Sequence, residues 1–193
     1  MIKNFYIFRN GQSSHNLAGK LQGLDNNSVL TDKGISQALS TADYLKDKNI
    51  DIIISSPQRR AKQTGSIIAK KINTPIQYDS RLREVNLGEV DGYNINKLSA
   101  KNLEILNQWI NSEISNDNIS FKNGESKTEL RQRISEAFNE YTTNKYQNIA
   151  ISSHNFPIIE TLQSIKASKN SIEHGEIVHI QYDGSQWKYI KSV

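Results

Sequence analysis

Three apolar runs punctuate the chain: Phe5–Phe8, Ile50–Ile54 with Asp51 inside it, and Ile149–Ile151. They are continuous rather than alternating, the pattern of strands covered on both faces in a parallel sheet. Between them, apolar residues recur at helical spacing. Behind Thr31, a candidate N-cap, Ile35, Ala38, Leu39, Ala42 and Leu45 share one face. Ser56 and Pro57 offer an N-cap and first-turn pair ahead of Ala61, Thr64, Ile67 and Ile68. Ser126 and Glu129 spell a capping box before Leu130, Ile134, Ala137, Phe138 and Tyr141. Towards the C-terminus the pattern changes. Glu176–Tyr182, the turn pair Asp183–Gly184, and Gln186–Lys191 predict a β-hairpin. The expected fold class is therefore α/β: three layers, a mostly parallel sheet flanked by helices, with a C-terminal β-hairpin.

The stretch 94–123 is rich in Asn and Lys and carries Leu103, Leu106, Trp109 and Ile110. It predicts a helical insertion over the sheet and its active end. No repeat, low-complexity tract or dividing linker interrupts the chain, so residues 1–193 are expected to form a single domain.

Composition narrows the partners. Hydrophobic residues are 36% and charged residues 23%, ordinary values for a soluble domain able to bury a core without staples. With no cysteine, disulfides and thiolate metal sites are excluded. Met1–Phe8 is too short and too polar for a signal peptide, and no apolar run reaches membrane length, so a cytoplasmic protein without membrane contact is expected. The net charge is +4, but the dense basic spots, Arg59–Arg60 and Lys70–Lys71, lack interleaved aromatics. A nucleic-acid stripe should be longer and one-sided, so none is expected. A local positive pocket for a small anion fits better. Oligomeric state is not legible.

The polar residues explain that pocket. The three apolar runs lead into Arg9-Asn10-Gly11-Gln12-Ser13, into Ser55-Ser56-Pro57 with Arg59 and Arg60 behind, and into Ser152-Ser153-His154-Asn155. Open α/β sheets bind ligands beyond the carboxyl ends of their strands. Guanidinium forks, an imidazole, hydroxyls and helix N-termini converging there suit a phosphoester or a carboxylate. Singly, each residue has a plainer reading: Arg9 as a surface ion-pair partner, Arg60 as a solvated helix face, Glu84 as loop decoration, His154 as a core histidine. His15, His174 and His179 are assigned structural roles, and no metal site is expected.

Taken in order, the blocks are more specific than any residue. Phe8-Arg9-Asn10-Gly11-Gln12-Ser13 with Asn16 resembles the Arg-His-Gly-Glu/Gln-Thr/Ser signature of the histidine phosphatase (phosphoglycerate-mutase-like) superfamily. Leu21-Gln22-Gly23, Leu30-Thr31, Gly34 and Gln37-Ala38 continue the likeness. Ser55 to Thr64, Leu82-Arg83-Glu84 with Gly88 and Gly92, Gly124-Glu125-Ser126, and Ser152-Ser153-His154 complete it across nearly the whole chain.

That resemblance implies phosphoryl transfer through a phosphohistidine, without metal or cofactor, on a small phosphorylated metabolite. It makes Arg9, Arg60 and His154 the groups that hold the phosphoryl oxygens. Glu84 becomes the acid for the leaving alkoxide and then the base for water. Asn16 and the main chain at Asn155 complete the cradle, while Gln22, Gly23 and Arg83 touch the rest of the substrate.

Two residues depart from the pattern. Asn10 stands where the nucleophilic histidine is expected, and a carboxamide nitrogen, its lone pair delocalised, cannot attack phosphorus. Losing a covalent nucleophile costs several orders of magnitude in rate, so this chain is expected to bind but barely turn over. Asn155 stands where glycine is common, which bears on substrate preference. The intact remainder of the pocket favours an enzyme disarmed at one position over a non-catalytic phospholigand-binding protein. The compact length resembles the phosphatase branch rather than the cofactor-dependent mutases.

Overall fold

Six strands make one sheet: β1 (Lys3–Arg9), β2 (Ile52–Ser55), β3 (Ile76–Tyr78), β4 (Asn148–Ser153), β5 (Ile177–Tyr182) and β6 (Trp187–Ser192), ordered β3-β2-β4-β1-β5-β6. This computed structural model describes residues 2–111, 117–167 and 169–193. Strands β1 to β4 pair in parallel, whereas β5 runs antiparallel to β1 and β6 antiparallel to β5. Register brings the ends level: Arg9 lies opposite Ser153, and Ser55 opposite Ser152. Three polar strand exits therefore share one edge of the sheet.

The apolar runs are continuous because both sheet faces are covered. On one face Tyr6, Phe8, Ile53, Ala150 and Ile177 pack against α2 (Asp32–Leu45) and α3 (Arg59–Ile72). On the other, Phe5, Ile7, Ile52, Ile54, Ile149, Ile151, Val178 and Ile180 join the buried side chains of α4 (Ala100–Ile110), α5 (Lys127–Thr143) and α6 (Asn155–Ser164). A four-residue helix, α1 (Ser14–Leu17), follows β1. Phe5 and Phe8 are fully enclosed; removing either ring would cost about 3–5 kcal/mol.

Local signals act as the residue types dictate. Ser126 Oγ accepts from Glu129 N while Ser126 N donates to Glu129 Oε2 at 2.8 Å, closing the capping box of α5. Asp183 and Gln186 close the hairpin turn, with Gly184 at φ 105°. Other expectations need correction. Helix α3 starts at Arg59, with Gln58 as an N-cap that makes no side-chain cap bond. Ser56 and Pro57 lie outside it, because Ser56 Oγ is engaged by His154 Nε2 and Gln58 N instead. Ile35 and Leu39, assigned to the buried stripe of α2, are 40% and 39% exposed, since Gly34, Ala38, Ala42 and Leu45 carry the contact. Among the described residues of 94–123, helix occupies Ala100–Ile110 and a 3₁₀ turn Ile95–Lys97. Leu106 and Trp109 are buried, while Leu103 and Ile110 are exposed. Residues 112–116 of that stretch lie outside those described.

Candidate active site

The shared edge opens into a cleft of ≈ 200 Å³. Of the candidate residues, Arg9, Asn10, Asn16, Gln22, Arg60, Glu84 and Asn155 line it. β1 delivers the first two. Behind them the chain is pressed against α2: a Cβ on Gly11 would lie 2.3 Å from Gly34 O, and one on Gly34 would lie 2.0 Å from Gln12 O. Only two glycines permit that approach. Gly11 N then donates to Thr64 Oγ1 (3.1 Å), tying the exit loop to α3 as well.

Asn10 is buried and its carboxamide is satisfied at both ends. Nδ2 donates to Gly11 O (2.9 Å), and Oδ1 lies 3.0 Å from His154 Nδ1. His154 Nε2 meets Ser56 Oγ at 2.8 Å. Burial, reinforced by Arg60, Arg133 and Arg9, holds this imidazole well below its usual range, so it is neutral. His154 thus contacts Asn10 from behind and does not line the cleft.

The cations are placed by carbonyl oxygens. Arg9 gives Nη1 to Ile172 O (2.5 Å). Arg60, 3% exposed, grips the loop after α1, donating Nη1 to Asp25 O (3.1 Å) and Nη2 to Gln22 O and Gly23 O (3.3 and 3.1 Å). Gly23 is therefore a backbone element under Arg60, and a Cβ there would strike Val85 O at 2.7 Å. Asn16 Oδ1 accepts from Ser13 N (2.9 Å), which leaves its amide nitrogen as the end available to a ligand. Asn155 opens α6, and its Oδ1 accepts from Ile172 N (2.9 Å), bracing the segment before β5.

Glu84 sits on a loop with no regular structure, and its position is built by others. Gln58 Oε1 accepts from Glu84 N (2.7 Å), and Glu84 Oε1 accepts from Val85 N (2.9 Å). Arg133 on α5 donates to Arg81 O, Arg83 O and Glu84 O (2.5, 2.8 and 3.2 Å) while paired with Glu125 through Nε and Nη2 (2.6 and 2.8 Å). Burial pushes the Glu84 carboxyl above its ordinary value, against the pull of Arg60 and Arg9. A buried carboxyl whose neutral form is favoured, in a cleft it shares with Arg9 and Arg60, is equipped to give a proton. Arg83 is placed elsewhere. It lines a separate groove with Leu24, Asn86, Gly124 and Arg133, and its Nη2 lies 3.7 Å from Glu125.

Sequence reasoning missed several contributors. Arg133, on α5, carries no sequence signal that sets it apart from the other charges of that helix. His174, assigned a structural role, lines the cleft and has Nδ1 3.0 Å from Asn10 O. Lys20 adds a cation, and Leu21, Leu87, Ile95, Leu106, Ile110 and Phe156 make the remaining wall apolar. No local periodicity marks a residue that enters a cleft from a remote loop.

Fold and cleft together define a class: an α/β protein with an arginine-lined cleft at the carboxyl edge of its sheet. Residues 5–192 match the model of the histidine phosphatase superfamily (branch 1), and the chain belongs to that superfamily. It is 32% identical over 154 residues to "Putative phosphoserine phosphatase 2" of Hydrogenobacter thermophilus, covering 79% of this chain and 73% of that protein. It is 35% identical over 132 residues to "Probable phosphoglycerate mutase GpmB" of Escherichia coli, covering 68% of this chain and 60% of that protein. Among solved structures, one titled "Mycobacterial hydrolase 1" superposes with a TM-score of 0.87 at 18% identity, covering 99% of this chain and 98% of that one. Among the described residues, no helix is long and apolar enough to cross a membrane.

Proposed function

We propose that the cleft binds the phosphoryl group of a small phosphomonoester, and that the chain is a phosphatase whose attack through residue 10 is closed by Asn10. The observation that carries this reading is convergence. Arg9 and Asn16 from one stretch of chain, and Arg60, Glu84 and Asn155 from three distant ones, line one cleft around Asn10. In this reading Arg9 and Arg60 neutralise the phosphoryl oxygens, with His154 set behind Asn10. Asn16 and Gln22 donate amide hydrogens. Glu84 protonates the leaving oxygen and later takes a proton from water. No metal or cofactor enters these roles. The apolar outer wall supports an organic portion with hydrophobic surface, and Lys20 an additional negative group on it.

The test is a pair of measurements. The chain should bind inorganic phosphate, with affinity lost in Arg60→Met. Asn10→His should raise phosphate release from a panel of phosphomonoesters by several orders of magnitude. Including 3-phosphoglycerate with its bisphosphate primer separates hydrolysis from mutase transfer. An Asn10→His variant that releases no phosphate and transfers none would end the enzyme reading.

One observation favours a second reading. Both polar ends of Asn10 are satisfied by Gly11 and His154, as in a pocket settled around an amide. A phospholigand-binding protein without catalysis predicts selective affinity in the Asn10 chain and no activity in Asn10→His.

A further inference from the structure

The cleft that lacks a histidine at residue 10 has one from another element. His174 stands in the segment before β5, and the antiparallel pairing of β5 with β1 brings it against residue 10, 164 positions away. His154 cannot serve as a free imidazole, because Asn10 Oδ1 and Ser56 Oγ occupy both its nitrogens and it does not line the cleft. Among the described residues, His174 is the one histidine in the cleft lining.

Its hydrogen bond decides which nitrogen is available. Asn10 O is a backbone carbonyl and can only accept, so Nδ1 of His174 carries the hydrogen. Nε2 is left with its lone pair, and among the described residues it has no hydrogen-bond partner. Burial, together with Arg9, Lys33 and Arg60 and against the bond to Asn10, brings this imidazole down to about 4, so the ring is neutral at pH 7. A carbonyl-anchored ring with a bare nitrogen beside two guanidiniums has the arrangement a nitrogen nucleophile needs.

We propose that His174 is a relocated nucleophile, which carries the slow phosphoryl transfer left to this Asn10 chain; this rests on the phosphomonoester reading above. The Nε2 lone pair bonds to phosphorus as the bond from phosphorus to the ester oxygen breaks, and that oxygen takes the proton of the Glu84 carboxyl. The phosphorylated ring, cationic with Nδ1–H still on Asn10 O, is flanked by the Glu84 carboxylate. Water then attacks phosphorus and passes a proton to Glu84. The phosphorus–nitrogen bond breaks, its electron pair returns to Nε2, and phosphate leaves.

The experiment uses p-nitrophenyl phosphate with the full chain, a quench into base that preserves phosphohistidine, and peptide mapping. The expected results are slow p-nitrophenolate release, a phosphoryl group on the peptide containing His174, and a loss of roughly a hundredfold or more in His174→Gln. Gln keeps an amide donor for Asn10 O. The double variant Asn10→His/His174→Gln should regain release, showing that His174→Gln leaves a folded, competent cleft. Undiminished release in His174→Gln, phosphoryl on another residue, or a silent Asn10 chain beside an active Asn10→His variant would overturn the His174 assignment alone. Silence in both the Asn10 chain and Asn10→His would take the phosphatase reading with it.

Discussion

His154 Nδ1 lies 3.0 Å from Asn10 Oδ1, and the direction of that bond is forced. With Asn10 Nδ2 donating to Gly11 O, Oδ1 is the carbonyl end and can only accept, so His154 donates through Nδ1. Its Nε2 must then accept from the Ser56 hydroxyl. A one-way chain runs Ser56 to His154 to Asn10 to Gly11, using every polar atom of buried groups that would be costly to leave unpaired.

Asn10→Asp should break this chain with almost no change in volume. A carboxylate cannot donate to Gly11 O, and it adds a negative charge where phosphate would sit. Calorimetric titration with inorganic phosphate should show affinity falling by about tenfold or more, equivalent to about 1.4 kcal/mol. Undiminished affinity would place the anion elsewhere.

Glu84→Gln should stabilise the protein at neutral pH. Burial raises the folded-state value of this carboxyl above 4.5, so its contribution is fully present below the unfolded value and is lost as pH rises through the folded one. Ionising this buried carboxyl as pH rises through that value therefore costs stability, a cost that glutamine does not carry. Each kcal/mol recovered raises Tm by about 2–4 °C at this chain length. The advantage should shrink to nothing below about pH 4. Equal Tm differences at both pH values would contradict the assignment. In an Asn10→His background the same change should cost about 10²–10⁴-fold with alkyl phosphates, which need an acid for departure.

Arg133→Met should destabilise the fold by about 3–5 kcal/mol in urea unfolding, because the buried Glu125 carboxylate loses its two-point partner and is left with the cation of Arg83 at 3.7 Å. Arg133→Met/Glu125→Gln should recover part of that loss. In the Asn10→His background, both variants should lower kcat more than they raise KM, since Arg133 also holds the carbonyl of Glu84. Intact kcat would mean that the Glu84 loop holds its position without Arg133.

Gly34→Ala should disturb the cleft from outside it. The added methyl would lie 2.0 Å from Gln12 O, backbone against backbone, so the loop after β1 must move. A stability loss of roughly 1–3 kcal/mol with weakened phosphate binding is expected. Gly65→Ala, whose methyl first meets the tip of Ile76 at 3.0 Å, should cost less. Chemical denaturation of both variants beside a phosphate titration checks the contrast; equal costs would refute it.

Much of this architecture was legible along the chain. Phe5–Phe8, Ile50–Ile54 and Ile149–Ile151 marked β1, β2 and β4 because strands covered on both faces cannot alternate. Ser126 with Glu129, and Asp183 with Gly184, marked a helix start and a hairpin turn through chemistry confined to a few neighbouring residues. Strand β3 escaped notice: it has three residues, Ile76–Tyr78, on a sheet edge where pattern is weakest. The start of α3 differs from the expected one because Ser56, a good cap by type, is bonded to His154, the residue that caps α6 just beyond β4.

The sequence by itself determined which polar residues follow each buried strand, and the order of blocks that carries the superfamily likeness. Tertiary structure decided the rest: that Arg83 turns to a separate groove, that Arg60 spans the 22–25 loop, that Arg133 holds Glu84, and that His174 stands beside Asn10. Periodicity and capping report interactions within one turn or one strand. The pairing of β5 with β1 spans most of the chain, and its register is set by packing on both sheet faces, which no local window contains.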